Sequence, residues 1–533
     1  MTNSANDTYT SPLASRNASP EMLRIWSPRH KFNTWRRIWL AVAEAQHEVT
    51  KGWGSQRAPR ASEGTAVPPA HDAAIPPARA GGSLGQGPLV TKEQLDELRA
   101  VVERGITDEE IARASELERD LRHDVMAHVH CLGEQCPKAK GIIHLGCTSQ
   151  DVVCNADLLT ILESARLTQL KLASVIRSLS EFAHQWRETP TLAFTHYQAA
   201  QPTTVGRRAA QWGYELSLCE DRVGDQADPD SLRMLWRGLR GASGTQASFV
   251  NLFDGDLDLI DYFEANFIER LCEYNKWVPR HKLTTQTYPR VYDTFVLADL
   301  ASTASVLHKI ATDIRLLSNR KEIDEPFGAK QIGSSAMPYK RNPMKCERIC
   351  GLTRFVMNLV GNAYDTAATQ WLERTLDDSS NRRLSLPEAF LALDGALDLM
   401  HQVASGLVVH EAMVRKNLMA ELPFLATENI MMEAVKLGGD RQELHEKIRV
   451  HAQAAGMKVK QEGQDNDLIE RLRADEAFGA VHHLLTEDQL LDPMKYVGRS
   501  VEQTERFLKE VVEPLRERYG ADLDSLGGSD RGV

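Results

Sequence analysis

"LLTILESARLTQLKLASVIRSLSEFAHQW", residues 158–186, decides the architecture. Apolar side chains return at positions 158, 162, 165, 172, 176, 179, 183 and 186, in steps of four and three with one polar interruption at Gln169, which is the seam of a long helix. Neither Gly nor Pro breaks the run, so at 1.5 Å per residue it predicts a rod of about 45 Å, too long to stand without neighbours. The spacing recurs in a second Gly- and Pro-free segment, 291–325, through Leu300, Ala304, Leu307, Ala311 and Ile314. A third apolar segment follows residue 343, and a fourth spans roughly 385–410. Four such segments predict a central helical bundle over residues 149–409.

The flanks also read as helical. In residues 1–148, Thr91 and Thr107 each stand before a helical pattern with acidic residues in its first turn, an arrangement that caps a helix N-terminus. In residues 410–533, Pro423, Pro493 and Pro514 mark breaks. Between the N-terminal helices, residues 52–88 are rich in Gly, Pro and Ala with almost no large apolar side chain, and read as a disordered surface insertion. Strand signals are sparse. The expectation is an all-α chain of three domains: 1–148, 149–409 and 410–533.

Composition narrows the function. The 533 residues carry a formal charge of −11 without a segregated basic patch, which argues against nucleic acid as a partner. No run approaches the length of a membrane span, and the polar start lacks a secretory apolar core, which points to a cytosolic protein. Eight scattered cysteines without a CxxC pair read as free thiols. His123, His128, His130 and His144 are close in sequence, but HExxH is absent and the spacing of 123 and 128 splays them on a helix, so no metal is expected. Nucleotide-hydrolysis and dinucleotide fingerprints are absent as well, and no cofactor is implied.

One segment does not fit a plain bundle connector. "GSSAMPYKRNP", residues 333–343, combines small residues that let backbone amides approach a ligand, two prolines that restrict the chain, and the donors Lys340, Arg341 and Asn342. Such a loop can fold over an anion and stabilise developing negative charge. Read on its residues alone, it is first a connector with solvated cations, and a functional lid second. Similarly, His196 alone reads as a hydrogen-bonded core histidine, although its surroundings (Thr195, Gln198, Gln201, Thr203, Thr204) are polar. "RTLDDSSNRR", residues 374–383, reads first as a solvated helix face with Arg374 paired to Asp377 or Asp378.

The 333–343 loop resembles the signature loop of the fumarase/aspartase superfamily, whose members eliminate fumarate from succinyl-type substrates with a serine in a mobile loop. "RHDVMAHVH" (122–130), "IHLGCTSQDV" (143–152), "THYQAAQPTTVGRR" (195–208), "GTQASF" (244–249), 374–383 and "ATENIMMEAVKLGGDRQELHEKIRV" (426–450) are similar to the adenylosuccinate lyase family in its eukaryotic branch. The resemblance spans nearly the whole chain outside 52–88.

It implies a non-hydrolytic anti elimination of fumarate from adenylosuccinate and from the succinyl-carboxamide ribotide (SAICAR) of purine synthesis. One base and one acid on opposite faces are needed. By resemblance the base is Ser334, its oxyanion stabilised by loop amides and Lys340 once closure excludes water. His196 is then the general acid. The resemblance further implies Thr148, Ser149, Gln246, Lys340 and Asn342 for the succinyl group. Arg16, Arg348, Arg374, Ser379 and Arg383 match phosphate and nucleotide contacts, where the planar guanidinium suits an oxyanion. Arg122, His123 and Asp124 fall near the phosphate or the acid, and Glu347 orients a site histidine. It also implies a homotetramer whose active sites draw on three subunits. Asn17 departs from the family pattern, which carries a tyrosine there. Two other readings stay open on the residues: argininosuccinate lyase, which shares the loop but not the 374–383 stretch, and a catalytically silent helical scaffold.

Overall fold

The computed structural model describes residues 7–52, 88–227, 235–271, 280–486 and 492–525. The expected insertion, apart from its two end residues, lies outside the described residues, as does Cys272. Helices dominate, and the strands among the described residues form two small antiparallel pairs. These are β1 (Pro190–Thr195) with β2 (Gln198–Thr204), and β3 (Ile323–Asp324) with β4 (Val408–Val409). The all-α expectation is borne out.

The quoted seam lies in a helix spanning Ser149–Gln185, and Leu158, Leu162, Ala165, Leu172, Ile176, Leu179 and Ala183 are all buried. Burial exceeds the seam, because Thr160, Ser164, Thr168 and Ser178 are buried too. Three of these hydroxyls donate to their own helix: Thr160 to the Ala156 carbonyl at 3.0 Å, Thr168 to Ser164 at 2.8 Å and Ser178 to Ser174 at 3.2 Å. A hydroxyl satisfied four residues back can be buried at little cost, so an apolar pattern alone undercounts the buried face.

The other long helices are Val291–Asn319, Met344–Ala368 and Asp377–Ala404. The first of these stops at Asn319, short of the expected 325, because Ile323 and Asp324 pair with Val409 and Val408. The last begins at Asp377, eight residues before the expected 385, with Asp377 and Asp378 in its first turn where carboxylates oppose the exposed amides.

The chain divides into two compact units, comprising 1–169, 222–301 and 356–394 in the first and 170–221, 302–355 and 395–533 in the second, so the division falls within these four helices and within the helix Val205–Ala227. In the first unit, Thr91 and Thr107 each make a capping box, with Gln94 and Glu110. Trp35 and Trp39 are buried edge to face, and the ring of His128 stacks on Phe32 with centroids 3.8 Å apart. In the second unit, the helix Glu411–Leu425 packs on β1 and β2, and Ile430, Leu444, Leu468, Leu472 and Phe478 belong to a core of the C-terminal segment.

His128 carries a testable consequence. Burial, then the charges of Arg36 and Lys31, lower its pKa to about 4. The unfolded chain takes up that proton near pH 6.5, so stability is full above 6.5 and is lost as pH falls toward 4. At pH 5 this loss amounts to about 2 kcal/mol. His128→Phe is therefore expected to flatten the decline in the denaturation midpoint between pH 7 and 5; an unchanged slope rejects the assignment.

Candidate active site

In the second unit the serine loop is clipped at its base. Asn342 donates from its side-chain amide to the Gly333 carbonyl at 2.8 Å, joining the two ends. A side chain on residue 333 would meet the Lys340 carbonyl at 2.1 Å, so only glycine fits where the strands of the loop cross. Beyond the loop, the buried Glu325 carboxylate accepts the N–H groups of Lys345 and Cys346 at 3.0 and 2.9 Å, fixing the start of the helix Met344–Ala368. Arg341 lies over the Phe327 ring at 5.4 Å. Within this frame, Ser334 Oγ accepts from the backbone N–H of Met337 at 3.2 Å and of Ala336 at 3.4 Å. Two amides thus face the atom that would carry charge on deprotonation. Lys340 is exposed, and Arg348 is half-buried one turn into the helix, beside an exposed Glu347.

His196 sits at the tip of the β1–β2 hairpin. Thr195 pairs with Gln198, leaving His196 and Tyr197 as a two-residue turn with φ of 52° and 58°. Positive φ at both centres is the twist that tight hairpins require, and it costs roughly 1–2 kcal/mol for each residue that is not glycine. The surroundings hold the turn in place. Arg320 stacks over Phe194 at 4.6 Å, Phe194 contacts Tyr197 at 5.6 Å, and Gln201 donates to Glu428 at 2.6 Å. The sequence reading of His196 as a core residue does not hold on its own terms, because the ring is exposed. Among the described residues no hydrogen bond or ion pair joins His196 to the 333–343 loop.

The first unit holds the remaining candidates in two groups. At the start of the helix Ser149–Gln185, the Thr148 N–H donates to Asp151 Oδ2 at 2.7 Å, while Asp151 Oδ1 accepts from Arg237 and from the amides of Arg240 and Gly241 at 2.8 and 3.1 Å. Gln246, left-handed at φ 58°, gives its side-chain amide to the Leu239 carbonyl at 2.9 Å. Asp151 and Arg237, which the sequence reading did not single out, therefore organise the segments bearing Thr148, Ser149 and Gln246. Asp151 lies in the quoted "CTSQDV" stretch, but nothing local marks Arg237 as its partner, 86 positions away.

The second group surrounds Arg374. Its Nη2 donates to Ser379 Oγ at 3.1 Å and to Asp378 at 3.4 Å, which settles the Asp377-or-Asp378 alternative in favour of Asp378, and its Nη1 donates to Gln286 at 3.2 Å. With its amide oriented to satisfy both groups, the Gln150 oxygen accepts from Nη1 at 2.6 Å. Arg383 pairs with Asp124 at 2.7 Å. Burial opposes ionisation of Asp124, yet the charge and hydrogen bond of Arg383, the Val125 amide and Lys31 hold its carboxyl below the usual range. His123 caps the helix Asp124–Gln135, its Nδ1 accepting the Met126 N–H at 3.3 Å, while Arg122 turns the corner at φ 54°. His123 thus precedes the helix that carries His128; among the described residues no group of three or more His, Cys, Asp or Glu side chains is placed to hold a metal ion. Arg16 is exposed in a short turn, Leu13–Asn17, and Asn17 donates to the Pro12 carbonyl at 2.9 Å.

Comparison with known proteins bears on what these groups are for. Residues 90–358 match the family described as "Lyase", and residues 423–507 match "Adenylosuccinate lyase C-terminus". The adenylosuccinate lyase of Saccharomyces cerevisiae is 45% identical over 506 residues, covering 95% of each chain, and that of Schizosaccharomyces pombe is 45% identical over 510 residues with the same coverage. This chain belongs to the adenylosuccinate lyase family. The family's Schistosoma mansoni member is 39% identical over 96% of each chain. Among solved structures, a fumarate lyase from Mesorhizobium sp. BNC1 superposes with a TM-score of 0.72 at 20% identity, over 94% of this chain and 99% of that one. A 3-carboxy-cis,cis-muconate lactonizing enzyme from Pseudomonas putida gives 0.71 at 22%, over 95% and 99%. At that identity these two show the shared lyase fold alone.

Proposed function

We propose that the chain cleaves adenylosuccinate to AMP and fumarate, with Ser334 as base and His196 as acid. The observation that carries this reading is the 45% identity to the yeast adenylosuccinate lyase across 95% of both chains. Ser334 Oγ takes the proton from the succinyl carbon next to the distal carboxylate. The electron pair left behind becomes the C=C bond of fumarate as the C–N bond breaks, and His196 gives its proton to the departing nitrogen. The two loop amides on Ser334 Oγ support the first step, and the exposed His196 ring on a braced turn supports the last.

The same chemistry applies to SAICAR, which carries the same succinylated nitrogen, and we include it as a second substrate. Thr148, Ser149, Gln246, Lys340 and Asn342 serve the succinyl carboxylates, Arg16, Arg348, Arg374, Ser379 and Arg383 the nucleotide and its phosphate, and Arg122, His123 and Asp124 stand near the phosphate or the acid.

The reading includes a homotetramer with shared sites. Val291, Phe295 and Leu316 on one long helix and Phe355 and Tyr364 on another are exposed, and a second copy of the chain is what would cover such apolar surface. It also includes a cytoplasmic location, where the seven described cysteines would persist as free thiols. Among the described residues no helix is long and apolar enough to cross a membrane.

Purified protein mixed with adenylosuccinate is expected to release fumarate stoichiometrically with AMP, followed by ultraviolet absorbance. Absence of release rejects the proposal, and turnover of argininosuccinate instead assigns the chain to the sister activity.

A further inference from the structure

Arg374 is held in an unusual way for a guanidinium beside a buried carboxylate. It stands four residues before Asp378, the spacing of a close helical ion pair, and the Asp378 side chain is wholly buried. Yet the nearest approach is 3.4 Å, well outside a tight pair. The reason lies on the opposite side of the carboxylate. Arg290 reaches Asp378 Oδ2 with Nη2 at 2.7 Å and Nε at 2.8 Å, and is itself 2% exposed. Its guanidinium lies 4.5 Å from the centre of the Tyr288 ring, and the Tyr288 hydroxyl donates to Asp293 at 2.6 Å. Asp293 is in turn paired with Arg382 at 2.6 Å. Arg290 is therefore fixed, and it holds most of the charge of Asp378. The shorter hydrogen bonds of Arg374 go instead to neutral groups: Ser379, Gln286 and, after amide orientation, Gln150. Neutral acceptors orient a guanidinium without cancelling its charge.

We propose that Arg290 is a positioning residue for phosphate recognition: by drawing Asp378 to itself it keeps that carboxylate from closing on Arg374, so Arg374 is aimed but not neutralised. The inference rests on the reading of Arg374 as a phosphate contact. In it, Asp378 has two cations to choose between, and the strongly seated one wins. Removing Arg290 would release Asp378 to form a tight pair with Arg374, and the phosphate would then compete with an internal carboxylate for the same guanidinium.

The test compares binding of AMP with that of adenosine, which lacks the phosphate, on the full chain by calorimetry. Arg290→Gln is expected to weaken AMP about tenfold, the scale of one charge-assisted hydrogen bond, while adenosine changes by less than about twofold. The double variant Arg290→Gln/Asp378→Asn removes both members of the buried pair, and AMP affinity is expected to return to within about threefold of the parent, because no carboxylate is left to quench Arg374. A purely structural role for Arg290 predicts the reverse order, with the double variant no better than the single. If Arg290→Gln is insoluble, the double variant and Arg290→Lys, which keeps the charge with a single point donor, decide the matter. Near-parental AMP affinity in the double variant with an intermediate loss in Arg290→Lys supports the proposal. An AMP-to-adenosine ratio in the double variant that stays about tenfold below the parent's overturns it. Arg374→Ala separates the two layers: if it leaves the AMP-to-adenosine ratio unchanged, the phosphate reading of Arg374 fails, whereas a lost preference there with none in Arg290→Gln sinks only the positioning role.

Discussion

Ser334→Ala is expected to lower kcat on adenylosuccinate by about a thousandfold or more, within the range a positioned general base supplies. Substrate binding should hold to within about threefold, because the lost group acts on the proton in flight and not on the bound ground state. The surrounding loop survives the change. Its base is set by the Asn342–Gly333 hydrogen bond and by Glu325 at the helix start, neither of which involves the hydroxyl. What the variant removes is the acceptor for the Ala336 and Met337 amides, and with it the oxygen those amides would stabilise as an oxyanion. Steady-state turnover with a separate measurement of substrate affinity decides the point. Near-normal kcat rejects Ser334 as the base.

His196→Asn should cost a similar factor, about a thousandfold, by leaving the departing nitrogen without its proton donor. Asparagine is the informative replacement here. Residue 196 has a φ of 52°, and asparagine is among the few residues that tolerate the left-handed region, so the hairpin keeps its turn and the loss can be assigned to chemistry. A fully active variant removes His196 from the mechanism. The two variants also test the shared site. If Ser334 and His196 of one active site come from different subunits, mixing the two inactive proteins under conditions of subunit exchange restores about a quarter of the sites. No recovery, with exchange verified, places both residues on the same subunit.

Much of this was legible in the chain itself. The four-and-three spacing through Leu158, Leu162, Ala165, Leu172, Ile176 and Leu179 named a buried helix, and Thr91 and Thr107 named two helix starts, because periodicity and capping are local properties. The loop at 333–343 stood out for the same reason, since its glycine, serines and donors are contiguous, but on its residues alone it read as a connector with solvated cations, and its catalytic reading came from the family resemblance. The hairpin that carries His196 was not. Its turn residues, His196 and Tyr197, are not the Asn and Gly that usually announce positive φ, so the sequence "THYQ" carries no turn signal.

The sequence by itself determined that the chain is helical, that a serine-bearing loop interrupts it, and which side chains resemble those of a fumarate-releasing lyase. Tertiary structure alone decided how those side chains are held: Asp151 against Arg237, Glu325 against the amides of residues 345 and 346, and Asp378 given to Arg290 in place of its helical neighbour Arg374. The physical reason is distance along the chain. Periodicity and capping act over a few residues, whereas a buried charge takes whichever partner the fold delivers with the better geometry, and here one such partner arrives from 88 residues away.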